Sequence, residues 1–114
     1  MIYLASAYSH PDDEVMERRY LEVAEVAAHL TFVRNEIVYS PIVYGHQLAK
    51  QFSLPTNAAS WERLNLAFLR RADKLYVLQN DGWERSVGVA QEIDFARKCL
   101  IPIHFINCFG EPVL

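Results

Sequence analysis

Strand-like apolar runs alternate with helical apolar patterns along the whole chain. Ile2 to Ala7 reads as a buried strand. Ser9-His10-Pro11-Asp12-Asp13 reads as a turn and helix start, with acidic residues suited to the positive end of a helix. From about Asp13 to Arg34 the positions Met16, Tyr20, Val23, Ala27 and Leu30 recur at helical spacing. Glu14 and Arg18 are spaced as a charge pair one turn apart on its outer face. Ile37 to Ser40 predicts a short second strand stopped by Pro41, and Tyr44 to Phe52 is ambiguous, compatible with a short helix before Pro55. Asn57 is placed to cap a helix carrying Trp61, Leu64, Phe68 and Arg71. Lys74 to Gln79 predicts a third strand, Asn80-Asp81-Gly82 a turn, Ser86 to Ala96 a further helix, and Ile101 to Ile106 a fourth strand.

Strands alternating with helices predict an α/β fold: one three-layer domain, flavodoxin-like or Rossmann-like, with a four- or five-stranded, mostly parallel sheet. Ligands of such sheets bind beyond the carboxyl ends of the strands. That rule gathers Ala7 to His10, Ser40 to His46 and Gln79 to Ser86 on one rim, with the last helix starting from it.

Length places residues 1–114 in a single domain, and 52% hydrophobic residues suffice for a core without metal or disulfide staples. A net charge of −3 argues against polymeric nucleic acid as a partner, because that ligand wants a basic face. No apolar run reaches membrane-spanning length, so no membrane partner is expected. Cys99 and Cys108 have no metal-ligand spacing, and two thiols without a leader suggest a reducing cytoplasm. The amino terminus enters a strand-like stretch at once, so no targeting segment is expected.

One carboxylate stands out. On a helix, the neighbours of Glu92 at three and four residues are Gly88, Val89, Phe95 and Ala96, all small or apolar. Asp94 on the same helix is the internal control: Ala90, Gln91, Arg97 and Lys98 surround it on a solvated, charge-balanced face. A carboxylate on an apolar face either satisfies a buried donor or has chemistry to perform. Ser86 is placed either to cap this helix or to hold an anion, Gly88 lets a ligand approach the helix backbone closely, and Arg85 supplies charge. Asn65, among Trp61, Glu62, Phe68 and Leu69, is either satisfied locally or faces the same cleft. Tyr3 puts a hydroxyl in the core or near the rim, and Tyr8 and Trp83 sit on rim loops where an aromatic ring either packs or stacks on a base. His10, His29, His46 and His104 share no metal spacing, so no zinc site is expected, although His10 and His46 fall on rim loops. The glycines are too few and scattered for a dinucleotide fingerprint.

With those residues in view, the chain resembles a small branch of the nucleoside 2-deoxyribosyltransferase superfamily. The segments that carry the resemblance are Ile2-Tyr3-Leu4-Ala5-Ser6-Ala7-Tyr8-Ser9-His10-Pro11, Ser40-Pro41-Ile42 with His46, Arg71-Ala72-Asp73, and Gly82-Trp83-Glu84-Arg85-Ser86-Val87-Gly88 running to Glu92. The resemblance implies N-glycosidic cleavage or transfer on a (deoxy)nucleoside or its 5′-monophosphate. It implies Glu92 as the nucleophile at the anomeric carbon, through a glycosyl ester. It matches Ser86 to a phosphate-contacting serine and Tyr3 to a tyrosine of nucleotide-hydrolysing members, and it adds Ser9 and His46 as substrate contacts. It implies no cofactor, a small-molecule nucleoside or nucleotide partner, and a homo-oligomer, for which the apolar Trp61–Phe68 helix offers a face. The family places an aspartate where this chain has Asn65, and an amide is no general acid, so Asp81 is the nearest candidate for that role. The alternative is a nucleotide-binding or sensing module without catalysis. Family members also complete the site from near a neighbouring subunit's carboxyl terminus, for which the tail Phe109–Leu114 offers few candidates.

Overall fold

The computed structural model describes residues 1–113. Its elements run β1 (Ile2–Ala5), α1 (Asp13–Phe32), β2 (Val38–Tyr39), α2 (Pro41–Phe52), α3 (Ala58–Arg70), β3 (Lys74–Leu78), a short 3₁₀ turn (Trp83–Arg85), α4 (Val87–Lys98) and β4 (Ile103–Ile106). The strands pair in the order β2-β1-β3-β4, all parallel, with Tyr3 opposite both Tyr39 and Leu75. The four-stranded sheet between helical layers is the flavodoxin-like arrangement expected.

Alternation along the strands sorts the core into two clusters. Tyr3, Ala5, Leu75 and Val77 face α3 and α4, where Leu69, Val89 and Ala96 close the layer. Leu4, Leu78 and Ile106 face the other way, onto Val23, Val26 and Leu30 of α1. No helix is long and apolar enough to cross a membrane among the described residues.

The helix boundaries follow from caps. Asp12 accepts from the Glu14 amide at 2.9 Å to open α1. Ser40 accepts from the Val43 amide at 3.2 Å, and Pro41 occupies the first turn of α2. Pro41 thus ends one element and begins the next, because a helix start needs no N–H from proline. Asn57 sits at the cap position of α3 without a side-chain cap bond. Arg18 pairs with Glu22 and Asp81, both at 3.9 Å, rather than with Glu14. The tail returns to the sheet through an Ile106–Pro112 bridge, and Leu114 lies outside the described residues.

Asn80 fixes the rim. Its side chain accepts from the Ala7 amide at 3.0 Å and donates to the Ala7 carbonyl at 3.1 Å, tying the exits of β1 and β3 together. The residue is buried, so both backbone groups depend on it. Asn80→Ala should therefore destabilise the protein by about 2–4 kcal/mol, read from urea denaturation, whereas a loss below 0.5 kcal/mol would mean that water replaces both bonds.

Candidate active site

Parallel strand order leaves a crevice where neighbouring connections leave in opposite directions, here between β1 and β3. A cleft of about 210 Å³ opens there. The β1 exit contributes Ser6, Tyr8 and Ser9; α2 contributes Ile42, Gly45 and His46; α3 contributes Trp61 and Asn65; the start of α4 contributes Arg85 to Gly88 and, one turn further, Glu92. Two adjoining hollows share lining residues with it: one of about 400 Å³ toward α1 and one of about 270 Å³ beside Arg19 and Asp81.

Glu92 is 6% exposed and reaches the floor of this cleft. The Tyr3 hydroxyl donates a hydrogen bond to its Oε2. Helical spacing turns Glu92 inward beside Val89 and Ala96, both buried, while Asp94 pairs with Lys98 at 2.9 Å in solvent. Burial pushes the Glu92 carboxyl up to about 7, against the downward pull of the Tyr3 hydrogen bond. Burial, then the charge of Glu92, drives the Tyr3 phenol strongly upward. Tyr39, behind this pair and stacked on Phe68 at 4.2 Å, is pushed up to about 12 by burial, Tyr44 and Glu92.

The α4 start turns backbone toward the cleft. Ser86 Oγ accepts from the Val89 amide at 3.2 Å, and the first helical bond runs from Ala90 N to the Ser86 carbonyl at 3.1 Å. The Val87 and Gly88 amides precede that bond, on a segment that lines the cleft. Gly88 is not forced by crowding, since an added Cβ would meet the Ala58 Cβ at an ordinary 3.6 Å. Asn65 Oδ1 and Ser6 Oγ are buried without hydrogen-bond partners among the described residues, and both residues line the cleft. Ser9 Oγ donates to the Thr56 carbonyl at 2.6 Å, closing the rim loop onto the α2–α3 connection.

Tyr3, Tyr8, Ser9, His46, Asn65, Ser86, Gly88 and Glu92 are thus brought together. Asp81 and Trp83 are not. Asp81 is exposed, lies 3.5 Å from Arg19, and lines the neighbouring hollow instead of the cleft. Trp83 packs toward Phe105 at 5.5 Å, joining the core. The cause is local: Gly82 at φ 83° starts the 3₁₀ turn, which swings Trp83 toward the sheet and Arg85 toward the cleft. An added Cβ at Gly82 would lie 2.5 Å from an Arg19 nitrogen. The aromatic wall comes from Trp61, whose indole donates to the Pro55 carbonyl at 2.7 Å and lies over Gly45. Trp61 reads as core in a helical pattern, and only the absence of a side chain at Gly45 hints at the ring above it. Ser6, hidden in the β1 run, carried no signal at all. No cluster of three His, Cys, Asp or Glu side chains suited to a metal occurs among the described residues.

Fold and site together define an α/β domain with a buried carboxyl group in a cleft beside a helix start. The chain belongs to the family described as a domain of unknown function, DUF1937, whose model matches residues 1–107. No curated protein matches it.

The raised Glu92 pKa has a thermodynamic consequence. The unfolded chain loses this proton near the ordinary 4.5 and the folded one near 7, so the contribution is full below 4.5 and is lost as pH rises through about 7. The unfolding free energy of wild type minus that of Glu92→Gln should fall by about 3 kcal/mol across that window. A pH-independent difference in denaturant titrations would show that Glu92 titrates normally.

Proposed function

We propose that this protein cleaves, or exchanges the base at, the N-glycosidic bond of a (deoxy)nucleoside 5′-monophosphate, with Glu92 as the nucleophile. The observation that carries this reading is the Glu92 carboxyl itself, buried on the cleft floor with Oε2 held by Tyr3. The resemblance to the nucleoside 2-deoxyribosyltransferase superfamily points the same way.

In this reading Glu92 Oε1 attacks the anomeric carbon, the base departs, and the glycosyl ester is resolved by water or a second base. The carboxylate also offsets the positive charge that develops on the sugar. The 5′-phosphate sits at the α4 start against the Val87 and Gly88 amides, Ser86 and Arg85. Asn65 Oδ1 and Ser6 Oγ accept from sugar hydroxyls, which supplies their missing partners. Tyr8 and Trp61 cover the base. The chemistry needs no metal or organic cofactor. Cys99 and Cys108 are free and exposed, which fits a cytoplasmic setting. Leu64 and Phe68, each 37% exposed on α3, are the face on which a homo-oligomer would pack.

A second reading rests on Asn65. It stands at the cleft where the superfamily places an acid, and Asp81 does not reach in, so the domain would bind a nucleotide without turning it over. One experiment separates the two. Incubation with a panel of nucleoside and deoxynucleoside monophosphates should release free base, and Glu92→Ala should abolish release. Base release undiminished in Glu92→Ala would exclude the nucleophile. Calorimetric binding without turnover, unchanged by Asn65→Asp, would instead establish the sensing module.

A further inference from the structure

A departing base needs a proton unless it is already activated, and Asn65 cannot give one. The titratable side chains lining the cleft besides Glu92 are Tyr8, His46 and Arg85. Arg85 stays protonated throughout. Tyr8 and His46 are joined: the Tyr8 hydroxyl lies 2.8 Å from His46 Nδ1, and His46 Nε2 lies 2.7 Å from Glu17 Oε2. His46 is 7% exposed, and its ring stacks on Tyr20 at 4.1 Å, which fixes its plane. Glu17 faces the neighbouring 400 Å³ hollow, with a side chain 41% exposed.

On the proposed reading of the cleft, we infer that Tyr8, His46 and Glu17 form a proton relay that gives a proton to the departing base and recovers it from the attacking water. A carboxylate only accepts, so Nε2 carries hydrogen toward Glu17. With both ring nitrogens protonated, Nδ1–H donates to the Tyr8 oxygen and frees the Tyr8 O–H to donate into the cleft. As the carbon–nitrogen bond breaks, the Tyr8 proton passes to the base and the Nδ1 proton passes to the Tyr8 oxygen. His46 is left neutral, still donating from Nε2 to Glu17. In the second half-reaction water attacks the ester, Glu92 leaves as carboxylate, and the water's proton goes to the Tyr8 oxygen while the Tyr8 proton returns to Nδ1. Protons balance over the cycle, and one chain serves as acid and then as base.

The charges around the relay suit this traffic. Glu17 from α1 holds the His46 ring through Nε2, Tyr20 of α1 covers its face, Lys50 from α2 stands 4.0 Å from the same Glu17 oxygen, and Asp13 lies toward Tyr8. Burial and the charges of Glu17 and Asp13 push the Tyr8 phenol upward, which keeps it protonated and able to donate. Tyr8 is the catalytic residue of the relay; His46 and Glu17 are positioning residues behind it.

The test compares leaving groups. Wild type, Tyr8→Phe and Glu17→Gln are assayed on the common 2′-deoxynucleoside 5′-monophosphates and on N7-methyl-2′-deoxyguanosine 5′-monophosphate, whose base departs neutral without protonation. Glu17 lines the neighbouring hollow rather than the cleft, so its variant changes no residue that lines the cleft. Read as single-turnover base release, because ester hydrolysis is common to both kinds of substrate and also uses the relay, Tyr8→Phe should slow release from the natural substrates about 100-fold or more, Glu17→Gln less, and neither should slow release from the N7-methyl substrate. No loss on the natural substrates, or an equal loss on both kinds, would overturn the relay while leaving Glu92 as nucleophile. Wild type releasing base only from the N7-methyl substrate would also overturn it. Wild type releasing base from neither kind would remove the glycosidic reading and the relay with it.

Discussion

The structure turns on one buried contact, the Tyr3 hydroxyl donating to the Glu92 carboxyl. Neither residue is free to be elsewhere. Tyr3 faces α4 because side chains alternate along β1, and Glu92 faces Tyr3 because helical spacing places it between Val89 and Ala96. An isolated carboxylate in such surroundings is destabilised, and the fold answers with one strong donor and a raised pKa rather than with a counter-charge. Glu92 forms no ion pair among the described residues, while Arg19 pairs toward Asp81 and Lys98 toward Asp94. An acid held by a hydroxyl and open to a cleft differs from one neutralised by an ion pair. The first remains available for chemistry, whereas the second is mainly a structural link.

The surroundings serve the same end. Strand order places the crevice beside β1, and Asn80 ties the β1 and β3 exits so that the rim loops leave in fixed directions. Ser86 closes the α4 start with its own cap, while the amides of the next two residues precede the helical bonds. Two buried polar atoms in the cleft, Ser6 Oγ and Asn65 Oδ1, have no hydrogen-bond partner among the described residues. Trp61 and Tyr8 supply aromatic walls, so the cleft combines a helix start, buried polar atoms and aromatic rings.

Much of this was legible from residue spacing, because local periodicity decides which way a side chain faces. The inward Glu92 beside the outward Asp94, the Ser86 cap and the rim loops all follow from such patterns. What needed coordinates was long-range geometry. His46 meets Glu17 across 29 positions of chain and gains its role only when α1 and α2 pack together. Arg19 is buried although its helix pattern favours apolar residues there, because it reaches the Tyr8 and Ser9 carbonyls. Trp61, which reads as core, lines the cleft instead, while the 3₁₀ turn after Gly82 settles Trp83 in the packing alternative, against Phe105. Asp81 reads from sequence as a rim acid, yet that same turn leaves it facing α1.

The central claim is that the Glu92 carboxyl forms a bond to an anomeric carbon. A 2′-fluorinated deoxynucleoside 5′-monophosphate slows breakdown of a glycosyl ester, because fluorine destabilises the positive charge that forms as the ester departs. Intact-mass spectrometry after incubation, followed by peptide mapping, reads the bond directly. The account predicts one added sugar phosphate per chain, carried on Glu92 and absent from Glu92→Gln. An unmodified chain after base has been released, or an adduct on any other residue, would contradict it.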